Sequence, residues 1–526
     1  MSTTNKRWLL GILIVGAAIR FIASYVQPAY VDEAYNQFLC AAGPGAILDV
    51  MRFDTHTPCL QLLAYPLFLF TDSIFVLRLP AICFGLASLF LNYHIFRSFF
   101  AERWALWLTA FTALSYHIFM NDAEFRPYSP LTFCMTAMWA ALLDIKNDRV
   151  PFAFLGAERL RLRWFVFALI CLGCGCLHYL GTMEVFAGGL WLLLFTNAAH
   201  KWRIAFYSAF CCVPSCMWLV WTRLAPHPAL VKSSEIFSAD NINHFINYVG
   251  IAYFAAPLYL LGWNVSDFVN LGRGQLWSEM IAPWASFVSI IVNAVLWYCV
   301  AKGYKCLAAT RREAAQLMAI ALLFPPGLLC LAGLGNLISW GLTLYMVPMT
   351  APYLVLLFSY LQDKARYCLV LAMTVSAAAV CCLVPFWSET WNCDWDGAIA
   401  AIEDASRSED IILLYPAYSG YSFAKAYNPQ GIDFVFERGR GLQCRQHRVP
   451  GKLAVVGLES WMLNQQFADK VFKGRRLYLI VSQFYNLTAA NLEWHWLLQH
   501  YKAKKIYHHN SLIGWGFADV FLLEEK

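Results

Sequence analysis

Charge is what this chain has least of. Of its 526 residues only 14% are Asp, Glu, Lys or Arg, while 60% are hydrophobic and the mean hydropathy is +0.51. Soluble domains carry roughly a quarter charged residues, so a water-soluble globule is excluded. A glycine-rich phosphate loop is missing too, which argues against a soluble nucleotide-linked substrate. No internal repeat or low-complexity tract is present. The net charge of +6 falls mostly in short loops, where it sets membrane topology and offers no face to nucleic acid. What is present is apolar sequence in long runs, with 16% aromatics including 21 Trp that suit both membrane interfaces. The chain reads as a mainly α, polytopic membrane protein.

The 18 cysteines mostly lie inside apolar runs, such as Cys171-Leu-Gly-Cys174-Gly-Cys176 and Cys211-Cys212, and read there as small packing residues. These spacings lack neighbouring His or acidic ligands, so no metal site is assigned to them. Cys393 and Cys444 lie in the polar C-terminal part, where an oxidising compartment would allow them to pair.

Lys6-Arg7 precede the first apolar run, Trp8 to Val26, which is long enough to cross a bilayer at 1.5 Å per residue. Tyr25-Val26-Gln27-Pro28 is too bulky for signal-peptide cleavage, so the run reads as a retained span. Residues 28–73 form a first outer loop. It holds short semi-apolar pieces, Glu33 to Ala42 and a second beginning at Cys59, that read as interfacial helices around a Gly43-Pro44-Gly45 turn.

Further runs follow at Arg78–Phe96, Trp104–Met120, Ser129–Ile145, Trp164–Gly181, Val185–Phe195, Ile204–Thr222, Ile281–Val300, Ala314–Leu334, Leu342–Leu361 and Tyr367–Phe386. The length rule makes this about eleven spans. A long outer loop fills residues 223–280, its apolar part Tyr248–Trp263 reading as an interfacial or cavity-lining helix. Lys and Arg gather in alternate loops, whereas Tyr179–Glu184 and Gly335–Gly341 have none. The positive-inside rule therefore expects a cytoplasmic N-terminus and an extracytoplasmic C-terminus in the inner or plasma membrane. Residues 1–386 are the expected membrane domain. Residues 387–526 are an expected small α/β domain, with strands at Ile411–Tyr415, Leu477–Val481 and Asp519–Leu523 and helices at Asp396–Ala405 and Thr488–Tyr501.

Three clusters concentrate charge on the expected outer side: Asp32-Glu33, then Asp54-Thr55-His56-Thr57-Pro58, then Asn121-Asp122-Ala-Glu124-Phe-Arg126-Pro127-Tyr128. Ionisable groups at a membrane are costly unless paired or solvated, so three at one level point to a shared polar cavity. His178 and Tyr179, at the outer end of another span, are candidates to line it. Arg126 offers a planar fork to a phosphate, and His56 a donor when protonated. A nearby carboxylate can take the proton of an attacking hydroxyl. The plainer readings stand beside these. Arginine at a helix end also anchors to head groups, His178-Tyr179 also suits a packed pair, and Arg223 and Arg273 also suit lipid phosphates.

The Asp-Glu pair after the first span, His56 close to the loop Pro58, Arg78-Leu79-Pro80 at the start of a span, and the Glu-x-Arg-Pro-Tyr turn at 124–128 together carry a resemblance. The chain resembles the GT-C superfamily of polyprenyl-phosphate-sugar-dependent glycosyltransferases, nearest to its ArnT, protein O-mannosyltransferase and rhizobial lipid A galacturonosyltransferase groups. The match is specific over about the first 185 residues and architectural beyond. It implies that Asp32 is the base, with Glu33 beside it, and that the residue near the loop Pro contacts the lipid phosphate. Family members often have Lys immediately before that Pro; here His56 stands two places before Pro58. Asp54, Asp122, Glu124 and Tyr128 are implied cavity-lining candidates. Transfer from a polyprenyl-phosphate sugar donor to a lipid, glycan or protein acceptor, with inversion, is the implied reaction. No cofactor is assigned; Asp32 and Glu33 can hold a divalent metal but lack a further ligand set. The competing class is a membrane transporter or lipid flippase, which calls for ionisable groups at mid-membrane depth and paired half-repeats.

Overall fold

The protein is described from a computed structural model. It covers residues 3–26, 31–51, 57–147, 149, 151–152, 160–196, 201–224, 260–261, 282–333, 344–364, 395–415, 423, 427, 435–437, 441–443, 453–457, 472, 474–482, 492–510 and 517–526. The architecture is mainly α, with one small sheet domain.

The helices in order are α1 (Thr3–Val26), α2 (Val31–Ala42), α3 (Pro44–Met51), α4 (Cys59–Phe68), α5 (Ile74–Phe99), α6 (Glu102–Leu114), α7 (Tyr116–Asp122), α8 (Tyr128–Lys146), α9 (Leu160–Leu177), α10 (Tyr179–Phe195), α11 (Lys201–Leu224), α12 (Ala282–Gly333) and α13 (Thr350–Leu361). Among the described residues three are long and apolar enough to cross a membrane: Thr3–Tyr25, Ile74–Phe99 and Ile290–Phe324. Chain contacts divide the protein into two compact units. One holds α1 and α4–α13; the other holds α2, α3 and the C-terminal elements.

In the helical unit α8 is the hub, buried at every position from Tyr128 to Ile145 except Phe133. Helices α5, α9 and α10 pack on it. Helix α1 shows how a membrane helix divides its faces: Trp8, Leu10, Ile14, Val15 and Phe21 are exposed, while Leu9, Gly16, Arg20 and Ala23 turn inward. Lipid solvates the apolar face as water solvates a polar one, so the inward face is the one free to carry Arg20.

Three expected spans are built differently. Trp104–Met120 is two helices, because the backbone at Ser115 is extended (φ −65, ψ 120) and turns α7 inward as a wholly buried segment. Trp164–Gly181 ends at Leu177, since His178 leaves the helix (φ −163, ψ 148) and its Nδ1 accepts the amide of Leu180 at 3.1 Å, capping α10. The short Val185 run is thereby extended back to Tyr179. The expected pair Ile281–Val300 and Ala314–Leu334 is two helices within α12 that meet at a non-helical kink at Arg311 (φ −144, ψ 63). There the Arg311 guanidinium donates to the Ser98 carbonyl at the end of α5, and Lys146 at the end of α8 lies 3.7 Å from Glu313. These basic loops thus meet at one end of the helical unit. The expected span Tyr367–Phe386 and most of 223–280 lie outside the described residues.

In the second unit, α2 and α3 are joined by Gly43, whose φ of +90 suits glycine, and Pro44 opens α3, where its missing amide hydrogen is not needed. The C-terminal elements are α14 (Trp395–Glu403), β1 (Ile411–Tyr415), β2 (Val435–Glu437), β3 (Gly441–Gln443), β4 (Ala454–Gly457), β5 (Leu477–Ser482), α15 (Leu492–His500), β6 (Tyr501–Asn510) and β7 (Phe517–Glu525). The main sheet has the order β4-β1-β5-β7-β6. Its first three strands are parallel, β7 is antiparallel to β5, and β6 pairs antiparallel with β7. Central strands buried on both faces carry near-continuous apolar runs, as β1 and β5 do. Ile412, Leu414, Tyr478 and Ile480 pack with α14, and Ile411, Leu413, Leu477 and Leu479 pack with Leu497 on the other face.

One ion pair ties this sheet together. Asp410, 2% exposed, accepts from Arg476 Nη2 at 2.8 Å and from the Arg407 amide at 2.8 Å, while Arg476 also donates to the Ala405 carbonyl. The hydrogen bond to Asp410 holds the Arg476 guanidinium pKa above its ordinary value. Asp410→Ala should therefore destabilise the domain by about 1–3 kcal/mol, the cost of orphaned donors to a charged acceptor. Limited proteolysis of the membrane-inserted protein checks this, with faster cleavage after residue 395 expected.

Candidate functional site

Sequence clustering at 121–128 resolves into two separate arrangements. The first is a buried ion pair. Asp122, the last residue of α7, accepts from Arg20 Nε at 2.9 Å and lies in ion-pair contact with Nη2 at 2.7 Å, and Ser129 Oγ donates to its other oxygen at 2.7 Å. Arg20 is fully buried and also donates to the carbonyls of Gly16 and Ala113. The approach depends on Gly85 of α5, where any Cβ would collide with the Asp122 carboxylate. Asp122 borders a small cavity of mixed lining, whose polar residues are Ser88, Asn92, Thr112, Thr132, Thr136 and Thr350. Asn92 Oδ1 and Thr132 Oγ1 have no hydrogen-bond partner there among the described residues, an arrangement suited to an internal water.

The second arrangement runs along the α7–α8 turn to the α9–α10 break. Arg126 Nη1 lies 3.5 Å from Glu124 Oε2, both side chains being about one-seventh exposed at 13% and 14%. That spacing is longer than the 2.7–2.9 Å of a direct charge-assisted bond, so the two form a looser ion pair. Arg126 Cζ sits 4.8 Å over the Tyr128 ring, the Tyr128 ring lies 6.3 Å from that of His178, and His178 lies 6.3 Å from Tyr179. Glu124, Arg126, Tyr128, His178 and Tyr179 therefore form one continuous chain of contacts. Because Nδ1 of His178 accepts a hydrogen bond, its ring is neutral and Nε2 carries the proton. Arg126 is consequently the cation of the group.

The loop of the second sequence cluster ends at the same place. Thr57 Oγ1 donates to the carbonyl of Cys176, two residues before His178. Asp54 and His56 themselves lie outside the described residues, as do Arg273 and the side chain of Arg223. Asp32 and Glu33 occupy the first turn of α2, in the other unit, where acids complement the helix dipole. Asp32 is half-buried and Glu33 fully buried. Among the described residues no group of three His, Cys, Asp or Glu is placed to hold a metal ion.

Sequence reasoning missed Arg20. It sits within an apolar run and its partner is 102 residues away, so no local signal marks it. Arg78, Asp144 and Glu184 are likewise buried within helices.

The fold and this site define an integral membrane protein of mainly helical build, with an arginine–aromatic chain at one end of its helices and a mixed α/β sheet domain. No family model and no curated protein matches the chain. Among solved structures it is similar to ArnT from Cupriavidus metallidurans in the apo state, at 13% identity and a TM-score of 0.39, covering 98% of each chain. It is likewise similar to the same ArnT bound to undecaprenyl phosphate, at 13% identity and a TM-score of 0.39, covering 99% of this chain and 98% of that one. So distant a likeness assigns no role to any residue.

Proposed function

We propose that this protein is a membrane glycosyltransferase that moves a sugar from a polyprenyl phosphate to a lipid, glycan or protein acceptor at the outer face of the membrane. Asp32 removes the acceptor proton as the hydroxyl attacks the anomeric carbon, and the lipid phosphate departs from the opposite side, inverting the configuration. Glu33 supports Asp32 in the first turn of α2. Arg126 and His56 take the charge that builds on the leaving phosphate. The N-terminus is cytoplasmic and the C-terminal domain lies outside.

The observation that supports this reading is the guanidinium of Arg126. It is held over Tyr128 and beside Glu124, and the loop end at Thr57 is bonded to the turn before His178. An oriented arginine fork suits a phosphate oxygen pair better than an ammonium does. Arg126→Lys should raise the KM for the lipid donor about tenfold, as one of two charge-assisted bonds is lost, and Arg126→Ala should raise it further. Equal KM values for wild type and Arg126→Ala would remove Arg126 from the phosphate site. Mass analysis of envelope glycolipids from cells with and without the protein tests the reaction class, a single missing sugar being the expected difference.

A transporter is the second reading, and one observation favours it: neither carboxylate oxygen of the fully buried Glu184 has a hydrogen-bond partner among the described residues. Substrate flux that depends on Glu184, with no glycan change on deletion, would decide for it.

A further inference from the structure

Thiols meet in pairs at two places along α9. Cys176, on its last turn, lies beside Cys59, the first residue of α4, where α4 packs on α9. Cys174, two residues earlier, lies beside Cys134 of α8 in the same way. Burial separates the two pairs. Cys134 and Cys174 are 7% and 0% exposed, sealed in the α8–α9 packing, whereas Cys59 and Cys176 are half-buried. The backbone reinforces the second pair, because the Thr57 hydroxyl donates to the carbonyl of Cys176 itself. Helix α4 is thus held against the last turn of α9 by contacts on both sides of Pro58. A disulfide requires two cysteines brought close together by the backbone, and the packing of α4 on α9 brings Cys59 and Cys176 together.

We propose that Cys59 and Cys176 are a redox-modification site whose oxidation to a disulfide locks α4 to the end of α9. Both S–H bonds break and one S–S bond forms. The two protons and two electrons pass to the disulfide of an oxidant, either a small disulfide or a dithiol oxidase, which leaves as two thiols. The bond tethers the chain that follows His56 directly to the turn that precedes His178, so it restricts the approach to the proposed phosphate site. Its relevance in the cell rests on the outward orientation of that reading, since disulfides persist in oxidising compartments outside the cytoplasm.

The purified full-length protein in detergent, treated with excess oxidised glutathione, then alkylated, digested and analysed by mass spectrometry, tests the pairing without any variant. The expected result is a linked Cys59–Cys176 peptide that dithiothreitol abolishes, with loss of alkylation at both thiols and no link between Cys134 and Cys174. In Cys59→Ser, Cys176 should instead be recovered as its mixed disulfide with glutathione. Alkylation of both Cys59 and Cys176 after oxidant treatment, or their recovery linked to other cysteines, overturns the proposal. In intact cells a membrane-impermeant oxidant should give the same link. Should the link form in detergent but not in cells, the pair stands and the outward orientation falls.

Discussion

Asp32→Asn is expected to lower sugar transfer by about 10²–10⁴, the range over which a positioned general base accelerates a reaction. The substitution is nearly isosteric, and Asn at the start of a helix also satisfies free amide groups, so α2 should form as before. Its neighbour offers an internal comparison. Glu33 is fully buried where Asp32 is half-buried, so Glu33→Gln should cost stability as well as rate, whereas Asp32→Asn should cost rate alone. Transfer is measured with membrane-inserted protein and a polyprenyl-phosphate donor, alongside thermal stability in detergent. Full activity in Asp32→Asn removes Asp32 as the base, and a fall in stability matching the fall in rate reassigns it to structure.

The second large effect is on folding. Asp122→Ala leaves the fully buried Arg20 guanidinium without its carboxylate, and breaking a buried pair from one side costs about 3–5 kcal/mol. Arg20→Leu leaves Asp122 buried with only Ser129 as partner and should cost a similar amount. Changing both residues removes two desolvated charges together, so the double variant should be more stable than either single one. Gly85→Ala should mimic Asp122→Ala, because its methyl group drives the carboxylate from its place. Thermal unfolding in detergent reads all four. Additive losses in the double variant would show that the two charges do not act as a pair.

These two predictions differ in how far the sequence leads to them. Asp32 stands out in the sequence because two adjacent acids end an apolar run, and burial is costly for any acid. Arg20 and Asp122 do not stand out as partners, since their energy comes from a contact across helices that no periodicity encodes. Asp122 reads in the sequence as part of one cluster with Glu124 and Arg126, yet it points away from them: a residue ending α7 faces the packing with α1 and α5, whereas the following turn faces the α9–α10 break. His178 is a similar case. Its place at a span end is visible in the sequence, but its role as a cap with a fixed tautomer depends on the extended backbone it adopts.

In the C-terminal domain the strands at Ile411 and Leu477 were legible because burial on both faces demands unbroken apolar runs. Strand β6, with Lys502, Lys504 and Lys505, and the short β4 were not, because an edge strand satisfies its neighbour through backbone bonds and needs little apolar sequence.

By itself the sequence determined the solvent this protein lives in, the positions of its main helices and the polar character of its last quarter. Each follows from composition and local periodicity, because transfer of side chains between water and lipid is additive along the chain. Only the tertiary structure decided that Arg20 neutralises Asp122, that Arg126 is stacked on Tyr128 in line with His178, and that Cys59 meets Cys176. Those depend on which faces of separate helices are turned toward each other, and a contact energy that needs both partners cannot be read from either one alone.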